Sequence, residues 1–165
     1  MLKKRPPATV SRAELVRTEQ TKRITIQPRV LGDFLTRAAE HPWNEVAGLL
    51  LGRIHGSDLI IEDVVHVPEL GSATRVRLSN ATYAQAAKKA APGQRIVGWI
   101  HSHPGHGVFL SSTDIATQSD GQAFFPDYAA IVMDPFHAEG AAYGFFRVKE
   151  GKARAMEYRY LVEDA

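Results

Sequence analysis

Cysteine is absent from the 165 residues of this chain. Its absence removes any disulfide framework and any thiolate metal site. It also removes the Pro-Cys-x-x-Cys half of the zinc nucleoside deaminase signature. No His-Glu-x-x-His occurs, so the helix-borne zinc protease motif is missing. No apolar run is long enough to span a membrane, and the N-terminus lacks the apolar core of a signal peptide. Cytoplasmic residence is therefore the expectation. A basic helix and a basic–aromatic sheet pattern are both lacking, so nucleic-acid binding has no support. There are no internal repeats and no low-complexity tracts.

Charge is scarce in net terms but unevenly placed. Residues 1–23 hold seven Lys/Arg against two acids, or +5, while the remainder is −3, giving the net +2. Residues 1–22 read as a basic N-terminal tail, solvated by default, and residues 23–165 as one domain with room for a real core.

The most informative stretch is His101-Ser102-His103-Pro104-Gly105-His106-Gly107-Val108-Phe109-Leu110-Ser111-Ser112-Thr113-Asp114. The preceding Arg95-Ile96-Val97-Gly98-Trp99-Ile100 is short, apolar and rich in β-branched and aromatic residues, which predicts a strand. Two histidines two apart on a strand point to one face. An aspartate eleven residues past the second can fold back through a short loop. Two imidazoles and one carboxylate leave a fourth position open on a tetrahedral zinc, the ligand count of a catalytic site. Taken alone, Ser111-x-x-Asp114 reads better as a helix-capping box, with Asp for Glu at the fourth place. The two roles are compatible: Ser111 opens a helix while Asp114, in its first turn, aims at the metal.

The remaining pattern predicts an α/β or α+β layered domain, a mixed sheet flanked by helices. Strands are expected over 23–27, 45–54, 58–67, from Arg95 through the two histidines, and near 128–133, 142–148 and, as one run, 153–161. Pro28 suits the first turn of a helix whose Val30, Leu31, Phe34, Leu35 and Ala38 share a face, with Pro42 ending it. Ser79 or Asn80 caps a second helix, and the Ser111 helix runs to about Gly121. Trp99 reads as core beneath the site. His106 lies between two glycines and is left out of the ligand set. His41, His55, His66 and His137 have no partner at metal spacing.

These residues resemble the MPN/JAMM zinc metalloprotease family. Its pattern is a Glu on an early strand, then His-x-His-Pro, about six residues, and Ser-x-x-Asp. The chain matches at Glu45, His101, His103, Pro104, Ser111 and Asp114, with six residues between Pro104 and Ser111. Glu45-Val46-x-Gly48-Leu49-x-Leu51-Gly52, Val97-Gly98-Trp99 and Val132-x-Asp134-Pro135 extend the likeness over residues 23–149. Within the family it looks most like the deubiquitinating subunit of the proteasome lid.

The resemblance implies a single MPN-type domain with one catalytic Zn2+ held by His101, His103 and Asp114. Glu45 would be the proton acceptor and Ser111 the oxyanion donor. The activity implied is isopeptide hydrolysis at the C-terminal glycine of ubiquitin or a ubiquitin-like modifier. The implied partners are such conjugates, with the proteasome or a related unfoldase. The irregular segment 68–78 corresponds to a family insertion that pairs with an extended modifier tail, so Val76 and Leu78 are candidate substrate contacts. A mobile surface loop is the equal alternative there. The chain ends at Ala165 without the long C-terminal helices of the lid subunit, and the stretch after Pro135 is short. A free-standing or prokaryotic relative is therefore expected. Two other activities stay open: a peptidase trimming linear ubiquitin-like or sulfur-carrier adducts, and a non-catalytic scaffold of the same fold.

Overall fold

The computed structural model describes residues 7–11, 23–71 and 78–163. The strands, in chain order, are β1 (Ala8–Ser11), β2 (Arg23–Ile26), β3 (Ala47–His55), β4 (Asp58–His66), β5 (Arg95–Ser102), β6 (Ala129–Asp134), β7 (Ala142–Lys149), β8 (Lys152–Met156) and β9 (Tyr158–Val162). The helices are α1 (Pro28–Ala39), α2 (Asn80–Lys89) and α3 (Ser112–Phe124). All strands join one mixed sheet in the order β1-β9-β2-β4-β3-β5-β6-β7-β8.

Local chemistry explains the elements. Pro28 opens α1, where its missing N–H costs nothing, and Val30, Leu31, Phe34 and Ala38 bury one stripe. The helix seats on β4, with the Arg37 guanidinium donating to the Val67 carbonyl at 2.9 Å. The β3–β4 hairpin turns at Gly56, whose φ of 60° is the left-handed region glycine tolerates. Ser79 caps α2 by accepting from the Thr82 N–H at 3.2 Å. Helix α2 packs on β3 and β5, and α3 on β6 and β7. No helix among the described residues is long and apolar enough to cross a membrane.

Two features differ from the sequence reading. The expected single strand over 153–161 is broken at Glu157. Its halves sit far apart in the strand order: β8 is the edge strand beside β7, while β9 lies near the other edge, between β1 and β2. Consecutive strands can reach both places only if the sheet curls. Across that curl the Tyr158 ring stacks on Phe145 at 4.0 Å, and the Tyr143 and Tyr160 hydroxyls meet at 2.6 Å. Strand alternation cannot reveal this, because it is unchanged when a run swaps partners. The second difference lies in the segment expected as a tail. Ala8–Ser11 add a strand parallel to β9, so the sheet begins before Arg23.

The site lies at the centre of the sheet. Strand β5 runs between β3, antiparallel, and β6, parallel. A parallel pair requires a crossover, and α3 supplies it. That topology brings the N-terminus of α3 to the C-terminal end of β5, where ligand sites form in such units. Close approach is required along β5. A Cβ on Gly98 would lie 2.2 Å from the Ala129 carbonyl oxygen of β6. Gly98→Ala should therefore destabilise the fold by about 1–3 kcal/mol, seen as a lower urea midpoint. Gly32, in α1, has nothing within 4 Å of a built Cβ. Gly32→Ala should raise the midpoint, by about 0.5–1 kcal/mol.

Candidate metal centre

Strand register assembles the site before any side chain is considered. Ala47 pairs with His101, and Val46 and Ser102 continue the ladder. The Ser102 N–H donates to the Val46 carbonyl at 2.9 Å, and the Val46 N–H donates to Ser102 Oγ at 2.9 Å. Continuing the register sets Glu45 across from His103 on the same face as His101. The Glu45 carbonyl is held in turn by the Gly71 N–H at 2.9 Å.

The second carboxylate arrives from α3. Ser111 is the N-cap, and a full capping box forms. Asp114 N–H donates to Ser111 Oγ at 3.1 Å, and Ser111 N–H donates to Asp114 Oδ2 at 2.9 Å. The cap therefore forms with the carboxylate still turned to the histidines, so the two expected roles are geometrically compatible. The same Oδ2 that closes the box faces both histidines.

His101 Nε2, His103 Nε2 and Asp114 Oδ2 form a triangle with all three edges at 3.1 Å. All three residues are buried. Protons cannot satisfy this arrangement. A proton on either imidazole nitrogen can serve one edge, but every assignment leaves another edge with two lone pairs or two N–H groups facing each other. One cation satisfies all three atoms together. A tetrahedral zinc with bonds of ~2.0–2.1 Å has ligand–ligand edges of about 3.3 Å, so the donor set fits that ion. His103 Nδ1 lies 3.2 Å from the Gly107 carbonyl, which makes Nδ1 the donor and leaves the Nε2 lone pair for a metal.

The electrostatics follow from burial. Burial pushes Glu45 up to about 7, the His103 charge pulling it down and Asp114 pushing it up. Burial also pushes His101 down, against the hydrogen bond and charge of Asp114, so its imidazole is held neutral as a ligand must be. For Asp114 the upward push of burial is outweighed by the hydrogen bonds from His101 and His103, and the carboxyl is held well below its ordinary range. Glu45 Oε1 stands 3.6 Å from His103 Nε2, and Oε2 is buried with no hydrogen-bond partner among the described residues.

The remaining expectations fall as follows. His106 is exposed and outside the triangle. Trp99 is buried under the site, whereas Trp43 is 81% exposed. Leu78 is half-buried against the core, and Val76 lies outside the described residues.

Three residues with a part in the site carry no chemistry-bearing signal of their own in the sequence. Ser102 fixes the Glu45 register. Gln118 contacts Trp99. Asp134, at the end of β6, accepts from the N–H groups of Gly105 and Gly107 at 2.9 Å each and of Phe136 at 3.0 Å. Gly105 and Gly107 take φ of 75° and 86°, which lets both amides turn toward one carboxylate. Asp134 thereby pins the loop whose Gly107 carbonyl orients His103.

A family profile described as JAB1/Mov34/MPN/PAD-1 ubiquitin protease matches residues 19–127. COP9 signalosome complex subunit 5 of Candida albicans is 40% identical over 100 residues, 55% of this chain and 16% of that protein. Subunit 5a of Arabidopsis thaliana is 33% identical over 120 residues, covering 69% and 34%. Subunit 5 of Drosophila melanogaster is 37% identical over 103 residues, covering 59% and 32%. The chain thus spans 16–34% of the length of these relatives. They are COP9 signalosome subunits and lend no support to a proteasome partner. A solution structure of a Desulfitobacterium hafniense protein superposes with TM-score 0.57 at 22% identity, over 86% of this chain and 94% of that one, a likeness of fold alone.

Asp134 gives a pH test of the loop. Burial pushes its carboxyl up, but the Gly105, Phe136 and Gly107 amides outweigh that and hold it below its ordinary value. Its stabilising contribution is complete above the unfolded value of ~3.9 and is lost as pH falls through the folded one. Asp134→Asn should cost about 1–3 kcal/mol at neutral pH. In urea titrations the gap from wild type should narrow below pH ~4. A gap that widens on acidification would show that the carboxylate charge does not hold the loop.

Proposed function

Because the chain belongs to the JAB1/Mov34/MPN/PAD-1 ubiquitin protease family, we propose that it is a zinc-dependent isopeptidase. Its substrates are lysine-linked conjugates of ubiquitin or a ubiquitin-like protein. The observation that carries the reading is the 3.1 Å triangle of His101, His103 and Asp114 with the Glu45 carboxylate 3.6 Å from His103. The buried Glu45 Oε2, without a hydrogen-bond partner among the described residues, supports a catalytic over a purely structural role.

A zinc ion held by the three residues would supply Lewis acidity, lowering the pKa of water from ~15.7 towards ~7 and polarising the scissile carbonyl. Glu45 takes the proton of the attacking water on its carboxylate and passes it to the leaving lysine amine. A carboxyl shifted towards neutrality by burial suits both directions of transfer. The Ser111 oxygen is committed as acceptor to the Asp114 N–H, which leaves its own O–H to donate. That hydroxyl donates to the carbonyl oxygen as negative charge gathers there. His103, held through Gly107, and His101, neutral and buried, keep the ligand atoms in place.

The test is cleavage of a lysine-linked ubiquitin dimer by the zinc-loaded protein, with and without chelator. Wild type should cleave, and chelator should abolish cleavage. Glu45→Gln should keep its zinc and lose about 100- to 10,000-fold in rate. Ser111→Ala should also keep its zinc and lose about 100- to 1000-fold. Full activity in either variant removes that residue from the mechanism. If the zinc-loaded protein cuts only linear fusions or sulfur-carrier adducts, the enzyme class stands and the isopeptide assignment falls. If zinc binds and no amide is cut, the scaffold reading replaces it.

A further inference from the structure

The two histidines of the site are held by different means. His103 has a hydrogen bond at Nδ1, the usual device for orienting a metal-binding imidazole. His101 has none: its Nδ1 is buried without a hydrogen-bond partner among the described residues. Something else must hold that ring. Trp99 lies two residues earlier on the same face of β5, and its indole stacks flat on the imidazole, with centroids 4.2 Å apart and planes at 9°.

The indole is locked in its turn. Its Nε1–H donates to Gln118 Oε1 at 2.9 Å. Gln118 is fully buried and spends its amide nitrogen on the Tyr128 carbonyl at 2.7 Å and on Gln122 Oε1 at 2.9 Å. Those bonds fix which end of the amide faces the indole. Gln118 lies four residues after Asp114, on the same face of α3. The helix that delivers the carboxylate ligand therefore also delivers the lock on the histidine. The seat has no slack: a Cβ on Gly121 would lie 2.3 Å from the Tyr128 ring.

We propose that Trp99 and Gln118 are positioning residues for His101, a stacked and hydrogen-bonded bracket that does for this imidazole what the Gly107 carbonyl does for His103. The proposal rests on the metal-centre reading above. The stack prevents the imidazole from tilting, the Asp114 contact at 3.1 Å selects which ring edge faces the metal, and Gln118 ties both to one helix. Neither residue touches the reacting atoms.

The test is zinc affinity, measured by competition with a chromophoric chelator, alongside urea unfolding of the zinc-free protein. Trp99→Phe combined with Gln118→Leu removes both ends of the indole–amide bond, but it also takes the Gln118 donor from the Tyr128 carbonyl, so the double variant should be less stable than wild type while still folding. Zinc should bind about 10- to 100-fold more weakly. Phe34→Leu, a core change on α1 at a ring that stacks on His66 of β4, is the control. It should lower stability and leave zinc affinity within about 3-fold of wild type. Should the double variant not fold, Trp99→Phe alone carries the same criterion. Zinc binding at wild-type strength in the bracket variant overturns the proposal. An equal loss in Phe34→Leu also overturns it, because general stability would then set the affinity. Failure of wild type to bind zinc at all would remove the metal-centre reading and the bracket with it.

Discussion

The register between β3 and β5 is the constraint on which the site depends. Two reciprocal bonds between Val46 and Ser102 extend the ladder past the end of β3 and bring Glu45 across from His103. A slip of one residue would turn Glu45 to the opposite face of the sheet. The slip is opposed by the close packing around Gly48, where a Cβ would lie 2.5 Å from the Val64 side chain, and by the buried pairing of Ala47–Leu50 with Gly98–His101. The hydrophobic core thus holds a geometry that the polar residues could not hold unaided. Whatever protons these three atoms carry, at 3.1 Å apart at least one pair of them repels in the absence of a cation.

That repulsion is a cost the fold bears locally. His101, His103, Asp114 and Glu45 are all buried, and Glu45 Oε2 and His101 Nδ1 lack partners among the described residues. Buried polar atoms without partners are rare in folded proteins and gather where chemistry is done. The surrounding residues compensate by rigidity. The capping box, the Asp134 clasp on Gly105 and Gly107, and the Trp99–Gln118 contact each tie one ligand to a regular element. Three elements, β5, α3 and the loop between them, therefore carry the ligand set on adjoining backbone.

What the sequence disclosed divides along the same line. The cluster of His101, His103 and Asp114 was legible because its members lie within fourteen residues, where strand alternation and a capping motif fix direction without knowledge of the fold. Glu45 was visible only through family likeness, since its approach to His103 depends on pairing between segments more than fifty residues apart. Ser102, Gln118 and Asp134 stand in the motif likeness, but nothing local assigns them a role. A serine between histidines, a glutamine on a helix and an aspartate at a strand end are ordinary until the fold shows which backbone groups or rings they meet. The break at Glu157 was hidden for the same reason: one alternating run serves two distant parts of a curled sheet, and alternation records faces rather than neighbours. Strand β1 was hidden because a basic segment of 22 residues reads as solvated whether or not four of its residues pair.

The most direct measurement is zinc stoichiometry with X-ray absorption at the zinc edge on the purified chain. The account predicts one zinc per chain in a shell of nitrogen and oxygen donors at about 2.0–2.1 Å that contains two imidazoles. A chain that takes up no stoichiometric zinc at neutral pH would contradict it. So would a shell of three imidazoles, which would bring in His106 and dissolve the ligand set on which the rest is built.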